Sequence, residues 1–128
     1  MQSVKGIGGV FFRAGHREEV NEWYRKHLGV PVTPEGVAVF QWREHDDPQM
    51  EQATIWSSFP EDTDYFGNPN QQFMVNYIVE NLDTLLAQLK GADVKIEEHR
   101  EASEFGKFAW VYDPAGNRIE LWEPPKKA

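Results

Sequence analysis

The chain has 128 residues, 40% hydrophobic and 13% aromatic, enough to pack one domain or two small modules sharing one core. It has no cysteine, which excludes disulfides, thiolate metal sites and cysteine nucleophiles. Its formal net charge of −8 argues against nucleic acid, whose phosphates would be repelled; it suits a cationic ligand and equally suits solubility.

Met1-Gln2-Ser3-Val4-Lys5 leads into no apolar run, and no stretch approaches a membrane span. Neither a signal peptide nor a membrane partner is expected, and a cytoplasmic location is. Lys5 to Arg13 reads as a strand weakened by its glycines. Arg17 to Leu28 reads as a helix. Val20, Trp23, Tyr24 and Leu28 form an apolar stripe for a core, Glu18 and Glu19 suit the positive N-terminal end, and Gly29 suits the C′ position. Val30-Pro31-Val32 leads into a strand from Gly36 to Trp42. A polar loop, Arg43 to Gln52, precedes a strand from Ala53 to Phe59, and Pro60 to Gln71 reads as a polar linker.

The pattern then restarts. Gln72 to Val79 is a predicted strand. Leu82, Leu85, Leu86 and Leu89 mark an amphipathic helix stopped by Gly91. Val94 to Glu97 is a predicted strand, Glu98 to Gly106 a charged loop, and Phe108 to Trp122 a hairpin. In that hairpin Pro114 pre-sets the first corner of the turn and Gly116 supplies φ > 0. Along its second strand Ile119 and Leu121 share one face, while Arg118, Glu120 and Trp122 share the other. A repeated strand–helix–strand–strand–strand order means two copies of one supersecondary unit, with eight strands and two helices: an α+β protein of two βαβββ modules. The modules run 5–59 and 72–124, with 60–71 between them.

Three segments, taken in order, resemble the vicinal oxygen chelate superfamily of glyoxalases, bleomycin-resistance proteins and extradiol dioxygenases. They are Trp23-Tyr24-Arg25-Lys26-His27-Leu28-Gly29-Val30, Val79-Glu80-Asn81-Leu82-Asp83, and Asp113-Pro114-Ala115-Gly116-Asn117-Arg118-Ile119-Glu120-Leu121, the last being the most specific. The resemblance covers nearly the whole chain. It implies a cup-shaped mixed sheet with helices outside, a homodimer, and a site inside the cup. It also implies four metal-ligand positions. Carried over residue by residue, these fall on Gly9, Trp56, Met74 and Glu120. Glycine has no donor, an indole nitrogen is not a ligand, and a thioether is too soft for Mg, Mn or Fe(II). Only Glu120 matches, so no resident metal or other cofactor is expected.

By alternation, the residues facing into the cup include Phe11, Arg13, Trp56, Met74, Asn76, Arg118, Glu120 and Trp122. This reads either as an aromatic bowl for a small molecule or as a solid core with Glu120 paired to an arginine, Arg13 or Arg118. Of the histidines, His27 suits a helix C-terminus, His16 sits at a strand-to-helix turn, and His45 and His99 lie in loops that could rim a cup. No phosphate-binding glycine loop or hydrolase elbow is present. The function expected is metal-free binding of a small aromatic or cationic molecule. The alternatives are a lyase or dioxygenase with an altered ligand set, in which Glu120 is the base and a loop His completes the site, and a non-catalytic subunit that only dimerises.

Overall fold

The computed structural model describes residues 2–126. Its elements are β1 (Val4–Ala14), α1 (Arg17–Leu28), β2 (Val37–Arg43), β3 (Glu51–Pro60), β4 (Phe73–Val79), α2 (Leu82–Gly91), β5 (Glu101–Ser103), β6 (Gly106–Tyr112) and β7 (Arg118–Glu123). This is an α+β fold with two helices and seven strands among the described residues, one strand fewer than expected. Two compact units can be distinguished. One is Gly9–Phe73, the α1 unit; the other, the α2 unit, joins the residues through Gly8 to those from Met74 onward.

In the α1 unit the strand order is β2–β3–β1, with β1 parallel and β2 antiparallel to β3. Val30-Pro31-Val32 stays out of the sheet; the amide of Val30 donates to the carbonyl of Tyr24 and that of Val32 to Val30. α1 has the bounds its sequence signals gave, but its apolar stripe is not a core stripe. Trp23 and Leu28 are exposed, and the buried helical residue is Asn21. The reason lies on β3, which presents Ser58 to the helix. The Ser58 hydroxyl donates to Asn21 Oδ1 at 2.6 Å, and Arg17 Nε donates to the Ser58 carbonyl at 2.8 Å. Tyr24 completes the contact, its ring 5.8 Å from Phe12 and 5.0 Å from Trp56.

In the α2 unit the order is β4–β7–β6–β5, with β4 parallel to β7 and the other pairs antiparallel. Asn81 caps α2 by accepting from the Thr84 amide at 3.0 Å. The helix includes Gly91; the chain turns at Ala92 and at Asp93, whose φ is 60°. Leu82, Leu85 and Leu86 pack on Val79, Ala109, Val111 and Leu121, an apolar cluster that Tyr77, Ile96 and Ile119 extend. The strand expected at Val94–Glu97 is reduced to a single bridge from Ile96 to Val111, while the charged loop after it contains β5. The hairpin turn forms as its sequence dictates. Gly116 has φ 85° and its amide donates to the Asp113 carbonyl, while Asp113 Oδ1 accepts from the amides of Ala115 and Asn117. This turn sets the register that pairs Tyr112 with Arg118 and Trp110 with Glu120.

Candidate functional site

Strand alternation separates the two faces of the α2 unit's sheet. Val79, Ala109, Val111, Ile119 and Leu121 meet α2. The opposite face is built in rows by the register. Asn76 on β4 pairs with Glu120 on β7, and Glu120 pairs with Trp110 on β6. Two residues along, Ile78 pairs with Trp122 and Trp122 with Phe108. The pairing of Arg118 with Tyr112 forms the third row.

Glu120 is 2% exposed. Asn76 Nδ2 donates to its Oε1 at 2.7 Å and Trp110 Nε1 donates to its Oε2 at 3.0 Å. Each carboxylate oxygen thus receives a neutral donor. Burying a carboxylate is costly, and these two hydrogen bonds recover part of that cost. Asn76 Oδ1 has no hydrogen-bond partner and lies against the backbone of Gly8. A Cβ added there would fall 2.3 Å from that oxygen and 2.9 Å from the Trp122 ring, so only glycine permits the approach. Met74 and Ile78 on the same strand are fully buried.

The rest of this face is aromatic and charged. The guanidinium of Arg118 lies 5.0 Å from the centre of the Trp110 ring, with Nε 3.7 Å from Glu97 Oε1. Glu97 also accepts from the Tyr112 hydroxyl; that bond, more than burial, raises the Tyr112 pKa above its usual 10.0. His99 stacks on Trp110 with the rings 13° from parallel and 5.6 Å apart. Trp122 donates its indole N–H to the Phe105 carbonyl at 2.7 Å and stacks on Phe108 at 6.0 Å.

The structure therefore gathers Met74, Asn76, Arg118, Glu120 and Trp122 on one sheet of the α2 unit. The α1 unit holds the other three predicted residues. Phe11 pairs with Ser57 in the register and lies 5.5 Å from Phe59. Arg13 is 7% exposed, and its guanidinium donates to the carbonyls of Glu61, Thr63, Asn68 and Gln71 at 2.7–3.1 Å. It also lies over the Phe66 ring at 5.1 Å. The expectation that Arg13 partners Glu120 is thus corrected: the first-strand cation is committed to backbone carbonyls within its own unit. The placement of Trp56 is corrected as well. It packs on Tyr24 and Phe12, toward α1, whereas Ser57 pairs with Phe11. In the expected duplication, matching Phe11 with Asn76 makes Ser57, one position on, the counterpart of Glu120.

With that shift the four positions that the resemblance implies fall on Gly9, Ser57, Met74 and Glu120. Both oxygens of Glu120 accept protein hydrogen bonds, one of them from an indole that cannot ligate. These residues do not fit a divalent ion. Among the described residues, no group of three His, Asp or Glu side chains is placed to hold one. His45 is exposed, and the Nε2 of His99 lies 3.1 Å from Glu101.

Sequence reasoning passed over Trp110 and Gly8. Trp110 was within reach. Phe108, Trp110 and Tyr112 alternate with Ala109 and Val111, and counting back from the Asp113–Gly116 turn places Trp110 opposite Glu120. Gly8 carried no such signal, since glycine in a strand marks a close approach without naming what approaches.

Comparison with known proteins agrees with this architecture. The profile of the Glyoxalase/Bleomycin resistance protein/Dioxygenase superfamily matches residues 6–121. No curated protein matches the chain. Among solved structures, methylmalonyl-CoA epimerase from Streptomyces coelicolor, in complex with 2-nitronate-propionyl-CoA, superposes with a TM-score of 0.70 at 15% identity, covering 97% of this chain and 100% of that one. Methylmalonyl-CoA epimerase from Mycobacterium tuberculosis gives 0.61 at 18% identity, covering 96% and 90%. The Mn(II)-bound glyoxalase from Novosphingobium aromaticivorans gives 0.60 at 14% identity, covering 100% of this chain and 44% of that one. At such identities the likeness is one of fold, but the profile spans nearly the whole chain, and the protein belongs to the Glyoxalase/Bleomycin resistance protein/Dioxygenase superfamily.

Proposed function

We propose that the protein binds a small aromatic or cationic molecule without a metal, on the sheet face built around Glu120. The observation that carries this reading is a buried carboxylate held by the neutral donors Asn76 and Trp110 on a face shared with Phe108, Tyr112 and Trp122. An acidic group lies among these rings, and indole faces attract cations. The chain's net charge of −8 adds a long-range attraction of the same sign. Superfamily membership supports a small-molecule site in general. Phe108, Trp122 and Arg118, all half-buried, are the groups of this face within reach of a ligand.

The same reading takes 5–59 and 72–124 as the two halves of a duplication and the protein as a cytoplasmic homodimer with no resident cofactor. Sedimentation at micromolar concentration checks the dimer. The binding claim is tested by titrating tryptophan fluorescence with N-methylquinolinium, a planar organic cation. A saturable change on metal-free protein is the expected result. No saturable change with this probe or with neutral aromatics would remove the reading. Turnover that disappears in a folded Glu120→Gln variant would replace it with an enzyme whose base is Glu120.

A further inference from the structure

We propose that His99 acts as a built-in competitor: its imidazole occupies the place on the Trp110 indole that a planar organic cation takes when it binds. The inference rests on the binding reading above and names the subsite within it. The two rings are 13° from parallel with centroids 5.6 Å apart, an offset stack such as one planar heteroaromatic makes with another.

Trp110 suits a cation for a second reason. Its N–H donates to the Glu120 carboxylate at 3.0 Å, and a hydrogen bond to an anion pushes electron density into the indole. A richer ring attracts cations more strongly, and it already takes the Arg118 guanidinium at 5.0 Å. Trp110 is only 1% exposed, so a ligand reaches it only by displacing something. His99 is the group that can leave. Its side chain is 66% exposed, it lies outside the strands, and its polar contact is with the exposed Glu101, a pair that contributes little.

The surrounding charge favours a cation over an anion. Glu101 lies 3.1 Å from His99 and Glu98 precedes it in the chain, both exposed, while Arg100 and Lys107 are drawn to Asp83. The ligand class is thus a permanently cationic, planar heteroaromatic of one or two rings.

The test compares parent and His99→Ala by fluorescence titration with N-methylquinolinium, and with neutral quinoline above neutral pH. Circular dichroism verifies the fold. Removing the competitor should tighten the cation by about three- to tenfold, with a smaller gain for quinoline. If the parent binds and the variant binds no tighter, the role of His99 is overturned while the binding reading stands. If neither binds, both fall. An equal gain for quinoline would overturn the cationic class.

Discussion

Among the described residues, each unit buries one charged side chain on its sheet and gives it neutral hydrogen-bond partners, but by different means. In the α1 unit the charge is the Arg13 guanidinium, and four carbonyls between Glu61 and Gln71 receive it. In the α2 unit it is the Glu120 carboxylate, and the side chains of Asn76 and Trp110 donate to it. A cation can be held by an irregular backbone, because carbonyls left outside a ladder need donors anyway. An anion on a regular sheet finds the strand amides already committed, so it draws on side chains. Arg13 therefore organises a segment of chain, whereas Glu120 organises a surface. The helices differ in the same way: α2 docks through leucines, α1 through Asn21, Arg17 and Tyr24.

The largest effect should come from breaking the cationic half. Arg13→Met removes the donor to four carbonyls, of which that of Asn68 keeps another, the Gln71 amide, and a loss of about 4 kcal/mol is expected in denaturant unfolding. Protease cleavage should then concentrate between Pro60 and Gln72. Arg13→Lys should recover little, since an ammonium cannot span the same carbonyls. A parent-like midpoint for Arg13→Met would mean that the segment orders itself.

Much of the fold was legible because local rules agreed with one another. The bounds of α1, the leucine face of α2 and the 113–116 turn each rested on two or more signals, and the turn fixed which face Glu120 takes. The first half of the site was less legible. Ile55 and Trp56 are adjacent and both apolar, so alternation along β3 has no phase of its own. The pairing of Phe11 with Ser57 supplies it, and pairing is tertiary information. The carbonyls around Arg13 belong to a segment with no regular structure and could not be counted in advance. The apolar stripe of α1 misled for the converse reason: the spacing was right, but the sheet offers it Ser58 and two aromatic rings.

The apolar contrast comes next in size. Leu86→Ala empties a site in the α2 cluster and should cost about 3 kcal/mol without altering binding, because Leu86 lies on the far side of the sheet from Glu120. A parent-like melting curve, or lost binding in a folded variant, would contradict the separation of the two faces.

Gly8→Ala should cost about 2 kcal/mol, as its Cβ would drive into Asn76 Oδ1 and Ile78. It should also change the emission of Trp110, which shares the carboxylate with Asn76; unchanged emission and stability would show that the face yields easily.

The smallest effect is electrostatic. Arg100 and then Lys107 hold the Asp83 carboxyl below its ordinary pKa of 3.8. Its folded pKa lies below its unfolded one, so this contribution is complete above about pH 4 and fades as pH falls through the folded value. Asp83→Asn should lower the neutral plateau slightly, since the group is fully exposed, and converge on the parent below the folded pKa, so that the acid limb is flatter. A change at acid pH as large as that at neutral pH would mean that Asp83 does something other than pair.

The central claim is that Glu120 serves a ligand directly and not through a metal. Calorimetric titration of chelator-treated protein with N-methylquinolinium, run in parallel on parent and Glu120→Gln, tests it most directly. The account predicts saturable binding by the metal-free parent, unchanged on adding Mn, Ni or Zn, and binding weakened at least tenfold in the folded variant. Binding that appears only with an added divalent ion, or that Glu120→Gln leaves intact, would contradict it.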